Sequence, residues 1–245
     1  MVRAGRRLAW RFARSVCCGL AVLSAISAAQ AAEIISAEYN QPTSRYKHGV
    51  LGDTIEYGGM VIRLNDGSKR TLTLPKTRVF EDIKPRLTDV DQDGTPEIIA
   101  VESSLTLGAR FSIFDETGLV AATPYIGRAH RWLAPIGAAD LDGDGNVEIA
   151  YIDRPHLAKT LRIWRFSDQH LSHVADIEGF TNHRIGWALI PGGIRECGYG
   201  PQIVVATSDW SEIAAIQFSP EQEFSTSIIG NYDGPNSLNA ALSCP

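Results

Sequence analysis

Aspartate at positions 1, 3 and 5, glycine at 6 and glutamate at 9 make an acidic loop that this chain carries twice. The first copy is DVDQDGTPEII, residues 89–99, and the second is DLDGDGNVEIA, residues 140–150. Alternate carboxylates, Asp89, Asp91 and Asp93 in one copy and Asp140, Asp142 and Asp144 in the other, converge on one hard cation if the chain curls. Gly94 and Gly145 supply the positive-φ corner that lets it curl. Charged oxygen ligands suit Ca2+, whereas Mg2+ keeps more of its water and demands stricter octahedral geometry. An EF-hand is excluded, because it needs a bidentate Glu at position 12 and a helix on each side. Position 12 is Ala100 in one copy and Tyr151 in the other, each inside a β-type run. Two calcium sites are therefore expected.

Histidine, arginine and tryptophan suggest a second kind of chemistry. His130, Arg131 and Trp132 precede the second loop, and His183, Arg184 and Trp187 hold the related place later in the chain. His156 follows the end of a strand-like run. A histidine with arginine beside it can act as a general base next to a stabilised carboxylate. The favoured expectation is structural: imidazole and guanidinium tie loops together, and tryptophan fills space between units. Trp210, at a strand end, is the one tryptophan read as free enough to stack on a sugar. No G-x-S-x-G, H-E-x-x-H or P-loop occurs, and no Cys/His set has zinc-ligand spacing.

Strands must position these groups. Each acidic loop runs into an apolar β-type stretch, then a gap, then a second strand ending at Phe114 or Trp164. Leu64 and Phe218 end comparable strands, so the four anchors recur about every fifty residues. The expectation is an all-β, β-propeller-like fold of four blade-like repeats. The first unit offers Asp53 and Glu56 without the loop pattern. The last has IPGGIRECGYGPQ, residues 190–202, where the aspartates are lost and Cys197 appears. AEIISAEY, residues 32–39, reads as a strand. Because a closed ring removes exposed sheet edges, residues 34–38 are expected to pair with, or pack beside, a strand of the last unit between residues 208 and 229.

Residues 136–153, IGAADLDGDGNVEIAYID, resemble the FG-GAP or VCBS-type repeat of integrin-α-like propellers, and LTDVDQDGTPEIIAVES matches nearly as well. The whole chain also looks like a group of exported bacterial VCBS-repeat proteins. The resemblance implies a propeller-like fold with Ca2+ in the blade loops, held by carboxylates and a backbone carbonyl near position 7. Carried over, the ligands are Asp89, Asp91, Asp93, Thr95 and Glu97, then Asp140, Asp142, Asp144, Asn146 and Glu148.

Residues 1–31 read as a secretory signal peptide. Arg3, Arg6, Arg7, Arg11 and Arg14 precede an apolar stretch too short to span a membrane, and Ala29-Gln30-Ala31 is a cleavage-type sequence. Residues 32–245 then form one domain. The whole chain has a formal charge of −5, and removing those arginines makes the remainder more acidic. That argues against nucleic acid and anionic membranes as partners and suits cation sites. No further membrane span is expected. Cys197 and Cys244 are the cysteines left, and an oxidising compartment favours their pairing. The combined expectation is a periplasmic or secreted calcium-binding repeat protein that binds a protein or an extracellular glycan. The competing reading is a small, lyase-like periplasmic enzyme acting on acidic polysaccharide through His130, His183 and Arg184.

Overall fold

The structure is a computed structural model that describes, besides Met1, residues 32–219 and 223–244. The chain divides into units Met1–Ala31 and Ala32–Pro245, and the second is described here. The expected signal peptide lies outside the described residues apart from Met1. Among those residues no helix is long and apolar enough to cross a membrane.

The fold is all-β and every ladder in it is antiparallel. Strands β1 (Ile34–Thr43), β2 (Glu56–Leu64) and β3 (Lys69–Thr73) form a meander. The short strands β4 (Arg78–Phe80) and β5 (Arg86–Thr88) lie along opposite ends of β6 (Glu97–Ser104), which continues through β7 (Gly108–Phe114) to β8 (Leu119–Ala122). The third unit is a separate sheet of β9 (Leu133–Ala139), β10 (Val147–Asp153), β11 (Thr160–Ser167) and β12 (His170–Glu178). In the fourth, β13 (Phe180–Thr181) and β14 (Gly193–Glu196) share the edge of β15 (Pro201–Thr207), followed by β16 (Glu212–Phe218) and β17 (Phe224–Asn231). The acidic loops join β5 to β6 and β9 to β10. The Cys197 loop joins β14 to β15, the matching place.

Four groups of strands can be traced along the chain, but they make three sheets, none closed on itself. β4 bonds to β6 on one side and meets β2 through the Tyr57–Phe80 pair on the other, so the first two units share an eight-stranded sheet.

The closure expected of residues 34–38 is not found. Those residues do form a strand, but β1 pairs along its length with β2, from Ile34 opposite Leu64 to Thr43 opposite Glu56. The reason lies in β2, which matches β7 as the third strand of its unit. β2 is largely buried, so both its edges need a ladder: β3 takes one and β1 the other.

Strands β6 and β10 are buried along their whole length. Successive β6 side chains serve two different cores. Ile98 and Ala100 pack with Ile34, Met60, Ile62, Leu64 and Phe80, while Ile99 and Val101 join Phe111, Ile149, Ile163, Ile203 and Ile216. This is why the segments after the acidic loops read as unbroken apolar runs. The C-terminal tail carries helix α1 (Pro235–Ala240), whose Leu238 is fully buried against Val204, Ala206 and Ile213.

Cys197 and Cys244 are bridged, with Cα atoms 5.5 Å apart, which ties that tail to the β14–β15 loop. Replacing both cysteines by serine should lower unfolding free energy by about 3–4 kcal/mol. Denaturant titration measures the loss, and unchanged stability would remove the tail from the folded unit.

Candidate functional site

Both acidic loops fold by the same local bonds. The position-9 glutamate, first residue or neighbour of the following strand, accepts a hydrogen bond from the position-2 amide: Val90 N–H to Glu97 Oε2 at 2.8 Å, and Leu141 N–H to Glu148 Oε2 at 2.9 Å. The position-1 aspartate accepts from the position-6 amide, Gly94 to Asp89 and Gly145 to Asp140, each at 3.0 Å. The chain turns left-handed twice, at positions 4 and 6. Gly143 and Gly145 do so without steric penalty, whereas Gln92 adopts φ 60° ahead of Gly94. Gln92 Nε2 donates to the Gly145 carbonyl at 3.1 Å, so the loops touch.

Carboxylate oxygens of Asp89, Asp91 and Glu97 come within 4.8 Å of one another, as do those of Asp140, Asp142 and Glu148. Either cluster could hold a metal ion. Asp93 and Asp144 stand outside these sets. Their Oδ1 atoms accept the position-7 amides of Thr95 and Asn146, together with the Thr95 hydroxyl and the Asn146 side-chain amide.

The clusters differ electrostatically. Glu97 is pushed up to about 7, chiefly by burial. The Val90 hydrogen bond opposes the shift, and repulsion from Asp91, Asp89 and Asp93 adds to it. Asp89 Oδ1 is buried without a partner, a state that costs about 1–3 kcal/mol if nothing meets it. Burial raises Glu148 as well, but Arg165 opposes that shift. Arg165 binds Glu148 Oε1 through Nε at 2.5 Å, Asp144 Oδ2 through Nη1 at 2.8 Å, and Asp142 Oδ2 through Nη2. Nothing in the loop motif signals this arginine, which lies on the next strand and arrives through the β10–β11 register.

The histidines gather elsewhere. A pocket of about 270 Å³ is lined by His48, His130, Arg131, Trp132, Arg154 and His156, with Leu157 and Ile185. His48 donates through Nδ1 to the fully buried Glu81 at 2.6 Å, and its ring stacks on His130. The Trp132 indole donates to the Glu81 carbonyl, which fixes the wall behind them. Two lining residues, His130 and Arg154, have left-handed backbones at φ 56° and 45°.

Of the candidate ligand residues His130, Arg131, His183, Arg184 and Trp210, the first two line this pocket. His183 does not: it is completely buried, with Trp132 packed against its ring. Its Nε2 lies 3.0 Å from the Trp187 carbonyl and must donate. Its Nδ1 therefore accepts from His156 Nε2–H at 3.1 Å, leaving His156 Nδ1 as an acceptor. Arg184 and Trp210 belong to another cluster. The guanidinium sits 4.6 Å over the Trp210 ring, which also packs between Trp187 and Tyr232. Trp210 is thus half-buried by its own chain rather than free. A general-base arrangement of His130, His183 and Arg184 is not assembled. The sequence reading passed over His48, which lies in the long connection between β1 and β2 and belongs to none of the motifs.

His156 and His183 are both pushed down to about 4, principally by burial; repulsion from His183 adds to the shift at His156. Below the ordinary value of 6.5 the unfolded chain takes up protons that the fold refuses, so stability present at neutral pH is lost as pH falls from 6.5 toward 4. Melting temperature should fall between about pH 7 and pH 5, and fall less in His156→Gln. Identical pH profiles for the two proteins would contradict this.

Comparison with known proteins places a repeat across the two loops. Residues 89–151 match the family model of the FG-GAP-like repeat. No curated protein matches the chain.

Proposed function

We propose that this chain is an exported calcium-binding repeat protein of β-propeller type, periplasmic or secreted, that serves as a binding module. Its calcium is structural, and its partner is a protein or an extracellular glycan. The observation that carries this reading is the convergence of Asp89, Asp91 and Glu97, repeated by Asp140, Asp142 and Glu148, within a matched FG-GAP-like repeat. The first cluster fits a hard dication well, since it holds a buried carboxylate oxygen with no partner. In this reading four blade-like units make one domain over residues 32–245. Asp93, Thr95, Asp144 and Asn146 belong to the ligand set by resemblance.

The pocket around His130 and Arg131 is the best-supported ligand face. Its lining contains two arginines and three histidines and no carboxylate, beside apolar Leu157 and Ile185. Strained backbone at His130 and Arg154 is typical of residues held for recognition rather than for packing. Arg154 is paired with Asp153 and His48 with Glu81, so among the described residues Arg131 is the lining's unpaired cation, beside an apolar wall; that suits an acidic glycan, and an acidic peptide is the other arm of the test.

Melting in EGTA and in millimolar Ca2+ should differ by several degrees, since one site at 100-fold excess over Kd adds about 2.7 kcal/mol. Asp91→Asn should shrink the difference. Coincident curves, with no metal in elemental analysis, would refute the calcium assignment. Thermal shift against acidic and neutral glycans and an acidic peptide, with Arg131→Ala as control, tests the pocket. A shift that survives Arg131→Ala would move the ligand site elsewhere.

A further inference from the structure

We infer that the two acidic loops are not equivalent: Arg165 is a built-in cation for the second, so that only the first takes up Ca2+. This rests on the calcium reading above, and its test separates the two. Nε, Nη1 and Nη2 of Arg165 each reach a different carboxylate, on Glu148, Asp144 and Asp142 respectively. Both Asp142 and Glu148 are buried, so their charges need a partner inside the fold. Asp140 has both carboxylate oxygens occupied by the Gly143 and Gly145 amides. No oxygen of this cluster is among the buried atoms left without a partner.

The register explains how the arginine comes to be there. Arg165 lies directly opposite Glu148 on β11. In the preceding unit Ile98 pairs with Phe114, which puts Asp115 at the corresponding place beside Glu97. The same structural position therefore carries a cation in one unit and an acid in the other. Asp115 is engaged in its own turn, accepting the Thr117 and Gly118 amides. Among the described residues, no ion pair reaches Asp89, Asp91, Asp93 or Glu97, and Asp89 Oδ1 stays orphaned. A dication entering the second loop must displace three charge-assisted bonds and sit beside the displaced guanidinium. That penalty should weaken Ca2+ there by at least about 100-fold.

Calorimetric titration of the chain with CaCl2, with elemental analysis after dialysis, should give one Ca2+ per chain. Asp91→Asn should abolish it, and Asp142→Asn should leave the count at one. Arg165→Gln should bind a second Ca2+, melt lower than wild type in EGTA, and recover in millimolar Ca2+. Two sites of similar affinity in wild type, with Asp142→Asn reducing them to one, would overturn the inference; so would an Arg165→Gln protein that still binds only one. If Arg165→Gln does not fold, the wild-type count and Asp142→Asn decide. No Ca2+ on wild type but one on Arg165→Gln would retain the role of Arg165 while refuting calcium in the first loop. None on either would refute both.

Discussion

A carboxylate buried at the mouth of a strand is the constraint on which both loops depend. Strands β6 and β10 are enclosed along their length, and each loop delivers a glutamate into that enclosed region. One oxygen of each glutamate is met by a backbone amide at the start of its own loop, which closes the loop over the strand. The other oxygen and the neighbouring aspartates then form a cluster of negative charge that a low-dielectric site will not hold uncompensated. The loop geometry thus creates a demand for positive charge. Arg165 meets it in one place. In the other, burial and mutual repulsion raise Glu97, and a divalent ion is the chemically suited answer.

The same logic organises the histidine pocket. Glu81 is buried and finds its partners in His48 and Ser103. His183 is buried neutral, with its tautomer dictated by a carbonyl on one nitrogen and His156 on the other. Such anchoring explains why recurring His-Arg-Trp elements serve two ends here. Trp132 and His183 build the wall, while His130 and Arg131 remain at the opening.

The acidic loops were legible in the sequence because their chemistry is local. Spacing of one residue between aspartates, followed by glycine and glutamate, fixes a turn and its hydrogen bonds without help from distant segments. The strand pattern was legible for a similar reason, since β6, β10 and β15 are short apolar runs bounded by polar turns. What stayed hidden depends on register and depth. Arg165 lies seventeen residues beyond Glu148, and nothing identifies it as a partner until the β10–β11 ladder is known. Trp210 looked like a surface group because strand ends are usually exposed, but here it is covered by Tyr232. The burial of His183 under Trp132 agrees with the structural role favoured for it, though not with its place among the candidate ligand residues. The partner of β1 was misjudged because ring closure was expected to supply it from the last unit. The long segment between β1 and β2, residues 44–55, conceals that the two form a hairpin.

The three-residue strand β4 has a consequence for how this array can be altered. Where one unit gives way to the next between β8 and β9, or between β12 and β13, no hydrogen-bonded ladder crosses the junction. The units there are joined by one covalent connection, by isolated backbone bonds such as Ala109 N–H to the Arg131 carbonyl, and by the shared apolar core. At the first junction β4 acts as a rivet, holding β6 on one side and touching β2 on the other. Phe80 reinforces it by stacking on Tyr39 from β1 and packing edge-on against Phe114 from β7. The first two units are therefore one piece for any recombination of repeats, so the editable module at this end of the array is a pair.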